Sequence, residues 1–232
     1  MKQFIFALIS GVILLMTSCS PTITRGERYA KLYQEKPTTI AIMPPINRTT
    51  HVDAKNFFYT TLYVPLCERG YYVYSPYLLK DLFEKESAAD AEPFLEGDLS
   101  KLREVIGADA VVFTVIKDWK RNNLAARIKV KVEYIIRSTH TNEVLFQREG
   151  ELTVDNSIKD ETGTLLGSAV AIVGSFVNNA TQDKVVAGSL CSQYILSDLP
   201  AGKYSFQFGK DSSVVAQKPY VKVQLKSNLK IK

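Results

Sequence analysis

Hydrophobic positions along this chain follow two rhythms. Residues 110–116 are apolar at nearly every position, which suits a strand covered on both faces and predicts one in the middle of a sheet, running on to Trp119. Just before it, residues 98–107 read as a short helix. Asp98 stands at the cap position, Leu99, Leu102, Val105 and Ile106 form an apolar stripe, and Gly107 supplies a left-handed stop. A helix turning straight into a buried strand is an α/β signature. After a turn at Asn122 and Asn123 the rhythm becomes alternating. Ala126, Ile128, Val130, Val132, Tyr134 and Ile136 share one face, with Arg127, Lys129, Lys131 and Glu133 on the other, as in a long antiparallel strand with one wet side. Residues 138–142 turn the chain, and 144–154 return as the partner strand with Phe146, Gly150, Leu152 and Val154 on one face. Arg148, Glu149 and Glu151 place that strand towards an edge.

Upstream, residues 38–43 form a first strand stopped by Pro44 and Pro45. Asp53 caps a helix to about Arg69, kinked at Pro65 and ended by Gly70. Residues 71–74 are a short strand. Ser75 and Pro76 then open a helix that buries Tyr77, Leu78, Leu79, Leu82 and Phe83, and 84–97 is an acidic loop. Residues 164–177 are the most apolar stretch of the body. At fourteen residues they are too short to span a bilayer, and they suit either a buried core helix or a face that packs on a second copy. Asp183 caps a further helix to about Ser197. After the break at 199–202, residues 204–208 and 219–225 read as small strands, with Val221, Val223 and Leu225 facing one way.

The first residues carry an address. Lys2, the apolar run 4–15 and the sequence Leu15-Met16-Thr17-Ser18-Cys19 resemble the signal and lipobox of bacterial lipoproteins, with Met16 where the pattern usually has Leu. The alternative is an ordinary signal peptide with a chance cysteine. On the lipoprotein reading residues 1–18 are removed and Cys19 is acylated. At about 0.8 kcal/mol per buried CH₂, several chains anchor the protein stably. Ser20 after the cysteine implies, by resemblance to sorting rules, the outer membrane and a periplasm-facing domain, with the cell surface as the other orientation. Residues 19–37 read as a tether, with a short helix around 27–34 as an alternative within it, 38–200 as an α/β lipoprotein domain, and 201–232 as a Lys-rich β extension. That extension holds seven lysines against Asp211, whereas the whole chain carries +5. Its lysines suit an edge strand protected from aggregation or contact with an anionic membrane.

Candidate chemistry is sparse. His51 and His140 both fall in loops, without a second ligand at metal spacing, so no metal site or cofactor is expected. Nucleophile-elbow, zincin and phosphate-loop patterns are absent from the sequence. No aromatic-interleaved basic patch marks a nucleic-acid site. Trp119 reads as a half-buried cap on the sheet; with Tyr71, Tyr72, Tyr74 and Tyr77 it also motivates a small-molecule or glycan site. Cys67 and Cys191 suit either one disulfide or two core thiols.

Four segments, 42–49, 65–73, 99–103 and 107–119, together resemble a family of bacterial lipoproteins of unknown function that includes a meningococcal surface lipoprotein antigen. The resemblance covers roughly residues 38–200. It implies a fold similar to the N-terminal domain of the Tol translocation protein and to the periplasmic domain of the curli-secretion channel lipoprotein: a mixed, mostly antiparallel sheet with helices packed on it. It also implies an accessory in an outer-membrane assembly, beside a curli-channel-like lipoprotein or other envelope proteins, and supplies no catalytic residues. A non-catalytic role follows from the missing motifs, and the stretch 164–177 leaves a homodimer open. The residue it carries over is Cys19, the lipid attachment point.

Overall fold

A computed structural model describes residues 22–86, 89–122, 127–155 and 184–226. A seven-stranded mixed sheet organises them, in the order β3-β1-β4-β5-β6-β7, with β2 pairing with β4. β4 (Ala110–Asn122), β5 (Arg127–Ser138) and β6 (Val144–Asp155) are long and antiparallel. The shorter strands β1 (Thr39–Ile42), β2 (Ile46–Asn47), β3 (Tyr72–Val73) and β7 (Tyr220–Lys226) join in parallel.

The strand expected at the centre is there. Residues 110–113, 115 and 116 are 0–1% exposed, and their side chains divide between two apolar cores. Ala110, Val112 and Ile116 join one core with Ile128, Val130, Val132, Tyr134 and Ile136. Val111, Phe113 and Val115 join the other with Leu79, Phe83, Leu99 and Leu102. Lys117 is an extra residue in β4, because Ile116 pairs with Val132 and Asp118 with Lys131. Such a bulge changes the phase of alternation, which lets Trp119 return to the face of Ile116.

The first core is covered by α2 (Ala30–Glu35), α3 (Ala54–Tyr59), α4 (Tyr63–Glu68) and α8 (Lys184–Leu196), and α1 (Arg25–Arg28) leads into α2 through the buried Tyr29. The second is covered by α5 (Pro76–Lys85), α6 (Glu92–Glu96) and α7 (Ser100–Ile106). Beyond these helices the same face carries a charge ladder. Lys117 pairs with Glu133 (2.8 Å) and Glu149, Lys131 with Glu149 (2.8 Å), and Lys129 and Lys222 with Glu151 (3.0 and 3.4 Å). Burial alone would raise the Glu149 carboxyl, but Lys117 and Lys131 outweigh it and hold it below the usual range.

Several expectations need correction. The reading of 19–37 as tether fails from Ile23 on, because Tyr29 and Leu32 are each 4% exposed and α1 opens with a capping box between Thr24 and Glu27. The helix expected from Asp53 to Arg69 is two helices. Pro65 has no N–H to reach back four residues, and the chain breaks over residues 60–62. Asp53 and Ser75 occupy cap positions but make no side-chain cap bond. Tyr77, Leu78 and Val105, expected in apolar stripes, are 81%, 67% and 59% exposed. The acidic loop contains α6. Residues 204–208 form turns, not a strand, and β7 extends the main sheet, so 201–226 belongs to the body and is no separate appendage. Cys67 is exposed and Cys191 buried, both as free thiols; the bridge is not formed. Residues 1–20, with the lipobox and Ser20, residues 123–126 with Ala126, the stretch 164–177, Asp183, and residues 227–232 with Lys230 and Lys232 lie outside the described residues.

Candidate functional site

β1 is where the connections change sides. The chain leaving β1 and β2 crosses one face of the sheet through α3 and α4 to reach β3, and the chain leaving β3 crosses the other face through α5, α6 and α7 to reach β4. Neighbouring parallel strands whose following segments diverge to opposite faces leave a crevice at their carboxyl ends. The structure has a cavity of about 530 Å³ at that place. Pro44 and Pro45, which follow β1, line it. Lys55, Asn56, Tyr59 and Thr60 come from α3 and its end, and Tyr77, Lys80, Phe83 and Glu84 from α5. Its size falls within the range of small-molecule sites, and apolar walls with a few polar groups are their usual chemistry.

The sequence explains this geometry. The Pro-Pro pair ends β1 and offers no N–H to fill the crevice by local hydrogen bonding. Phe57, Phe58 and Tyr59 are consecutive on α3, so they point to different sides. Phe58 goes into the core against Trp119, with centroids 5.6 Å apart, and Tyr59 turns towards the groove. Tyr59 is 8% exposed and its hydroxyl has no hydrogen-bond partner. Burial, with the Glu84 carboxylate adding to it, pushes that hydroxyl well above the ordinary phenol range. It is therefore a neutral donor and acceptor. Lys80 and Glu84 stand 3.9 Å apart on the rim.

Other residues singled out in the sequence lie elsewhere. Trp119 is 6% exposed, more deeply set than a half-buried cap, and packs with His51, Phe57 and Phe58. Its Nε1 and the His51 Nδ1 are buried without partners. His140 is exposed, its Nε2 3.5 Å from Asp109. Tyr71 is buried and donates to the Pro200 carbonyl (2.9 Å), and Tyr72 and Tyr74 meet edge to face at 5.5 Å on the β3 edge. Of the aromatic residues proposed for a ligand, Tyr77 alone lines the groove. Tyr59 was read as part of a helix and no more; its orphaned hydroxyl depends on the fold of three separate segments. Among the described residues, no three His, Cys, Asp or Glu side chains gather as a metal site, and no helix is long and apolar enough to cross a membrane.

A second polar cluster joins the two ends of the described chain. Arg25 reaches Asp198 (3.0 Å), Asp211 (3.3 Å) and the Ser197 carbonyl (3.1 Å). Tyr29 donates to Asp198 (2.8 Å) and Tyr33 to Asp211 (2.9 Å), while the Gln217 and Ala201 N–H groups take the remaining acceptor positions (3.0 and 2.9 Å). Nearby, the buried Arg148 donates to the carbonyls of Tyr194, Ile195 and Lys218. A cation there satisfies the last carbonyls of α8 and complements its dipole.

A mixed sheet clothed by helices on both faces, with a crevice at a switch point, defines an α/β fold class. Comparison with known sequences then gives the family. The GNA1162-like lipoprotein profile matches residues 27–202, and the chain belongs to that family. A lipoprotein of Neisseria meningitidis serogroup B, NMB1124/NMB1162, is 21% identical over 196 residues, which cover 84% of this chain and 90% of the relative. Among solved structures, lipoprotein GNA1162 from Neisseria meningitidis aligns with TM-score 0.48 and 18% identity, over 63% of this chain and all of that one. The PelC dodecamer from Paraburkholderia phytofirmans aligns with TM-score 0.40 and 12% identity, over 80% of this chain and 96% of that one. The resemblance read from residues 42–49, 65–73, 99–103 and 107–119 thus holds, and membership makes this a lipoprotein of a family without an assigned catalytic activity.

Proposed function

We propose that this chain is anchored through acylated Cys19 to the outer membrane, faces the periplasm, and acts as a non-catalytic docking component of a secretion or envelope-assembly complex. A curli-channel-like lipoprotein or another envelope protein is the partner, and a second copy of the chain is the alternative partner. The observation that carries this reading is where the body starts. The Ala216 N–H donates to the Ile23 carbonyl (2.8 Å), so the described body reaches to within four residues of Cys19, and acylation there would hold it close to a membrane. Exposed Tyr77, Leu78 and Tyr72, at α5 and the β3 edge, supply apolar contact area for a partner. The test is a photo-reactive residue at Leu78 in intact cells. Crosslinks to an envelope protein or to a second copy are expected. Crosslinks confined to abundant soluble proteins would overturn the proposal.

The groove favours a second reading, a periplasmic binding domain for a small molecule or glycan. A buried hydroxyl without a partner is costly, by about 1–3 kcal/mol, and a ligand oxygen would satisfy it. Tyr77 supplies a ring at the mouth, and Lys55 and Lys80 favour an anionic or polar substituent. Isothermal titration of envelope metabolites and short glycans checks this. Binding that disappears in Tyr59→Phe supports the groove, and binding unaffected by that change removes it.

A further inference from the structure

Fifteen large hydrophobic side chains are markedly exposed in the described residues, and five of them belong to one lobe: Ile23 (46%), Tyr204 (67%), Phe206 (83%), Val214 (44%) and Val215 (55%). The lobe is ordered by backbone bonds. Thr24 and Val215 form an antiparallel bridge, the Arg25 N–H donates to the Val214 carbonyl (2.8 Å), and the Gly26 N–H donates to the Ser212 carbonyl (2.8 Å). Residues 203–210 are a run of turns seated on Gly70. The Tyr204 N–H donates to the Gly70 carbonyl (2.9 Å), the Phe208 N–H to Ser205, and the Lys210 N–H to Gln207. Gly70 is needed there: its φ is +88°, and a Cβ would stand 2.4 Å from the Ser205 nitrogen. Phe206 is thus held out in water by a tied loop, which costs the exposure of a large apolar surface unless something covers it.

The charge of the lobe is one-sided. Lys203, Lys210 and Lys218 are exposed, whereas Asp198 and Asp211 are buried and engaged by Arg25, Tyr29 and Tyr33. Of the exposed acids nearby, Glu27 turns back on Thr24 in the capping box, and Glu68 ends the helix before Gly70, so the three lysines outnumber the acids. The chain between Cys19 and Ile23 can reach at most about 14 Å. Arg25 and Arg69 both reach the Ser197 carbonyl, so the loop on Gly70 and the start of the body share one end of the molecule. Exposed rings flanked by lysines at the end nearest an acyl anchor match the headgroup layer of an anionic bilayer, where rings sit at the boundary and lysines meet phosphate.

We infer that the lobe of Ile23, Tyr204, Phe206, Val214 and Val215 with Lys203 and Lys210 is a membrane-docking surface that seats the body on an anionic lipid face. The assignment rests on the proposed acylation of Cys19, which brings the lobe to the bilayer and fixes which side of the body faces away from it.

The test uses the full-length protein purified from membranes and reconstituted in vesicles of phosphatidylethanolamine and phosphatidylglycerol, with Phe206→Trp as the probe and buried Trp119 as the internal reference. The expected result is blue-shifted emission from the introduced indole, quenched by lipids brominated near the headgroup and shielded from iodide. Water-like emission quenched by iodide alone would overturn the proposal. Shielding from iodide in native envelopes but not in protein-free vesicles would also overturn it, by making the occupant a protein. In a second arm, the Cys19→Ser chain partitions onto the same vesicles, and Phe206→Ser lowers that partition on the order of tenfold. Equal partition onto phosphatidylcholine would contradict an anionic surface. Acylation is read separately, from the mass of the N-terminal peptide. An unmodified Cys19 with a lipid-quenched indole breaks the anchor reading and leaves the lobe, whereas an acylated Cys19 with an iodide-quenched indole breaks the lobe alone.

Discussion

In the clamp that joins the chain ends, Asp198 and Asp211 are buried with every carboxylate oxygen engaged; in the groove past β1, the Tyr59 hydroxyl is buried with no partner. The two regions serve different ends. Satisfied buried ions fix geometry, because removing one partner strands the other in a low-dielectric interior. The clamp therefore sets where the chain leaves the body. An unsatisfied hydroxyl beside a cavity of about 530 Å³ does not stabilise the empty fold, and it leaves a directional group ready for something that enters. The clamp is scaffold, and the groove is the place for a ligand on the second reading proposed above.

The largest test of that contrast is Asp198→Ala. It strands Arg25 and Tyr29 and is expected to cost about 3–5 kcal/mol in denaturant unfolding of the Cys19→Ser chain. A loss below about 1 kcal/mol would mean the clamp is not the element that joins the ends. Tyr59→Phe should do the opposite. Removal of an unpartnered hydroxyl is expected to leave stability unchanged or raise it by up to about 1 kcal/mol, measured the same way. A clear loss would mean that the hydroxyl has a partner in solution.

The smallest effect lies outside both regions, at the start of α7. There the Ser100 hydroxyl, the Asn142 side-chain amide and the Ser100 N–H hold the exposed Asp98 carboxyl down at about 2. A carboxyl lowered on folding contributes stability above its unfolded value, and that contribution fades as pH falls from about 4 through about 2. Asp98→Asn should flatten stability against pH in that window, with a small loss near neutrality that vanishes below about pH 2.

Much of the sheet was legible because burial repeats locally. The two-sided run at 110–116, the alternation in β5 and the Val221, Val223 and Leu225 face of β7 all appear where expected. Gly107 also ends α7 with a left-handed φ of 75°. The clamp was not legible, since Arg25 and Tyr29 look like tether residues until Asp198, more than 165 positions away, is placed beside them. Arg148 was misleading for a related reason. Its charge suggested an edge, yet it is in phase with Phe146 and Gly150, and that phase was the signal that it points into the core to cap α8. β6 is one place in from the edge, with β7 outside it. The groove was invisible because it needs the ends of β1, α3 and α5 together, and Tyr77 reads as a stripe residue in α5 alone.

The central claim is a body held against a membrane by lipid on Cys19. Mass spectrometry of the N-terminal peptide of protein extracted from envelopes tests it most directly. The account predicts a peptide that starts at Cys19, carries a thioether-linked diacylglyceryl group, and lacks residues 1–18. A peptide that begins at Met1, or an unmodified Cys19, would contradict it.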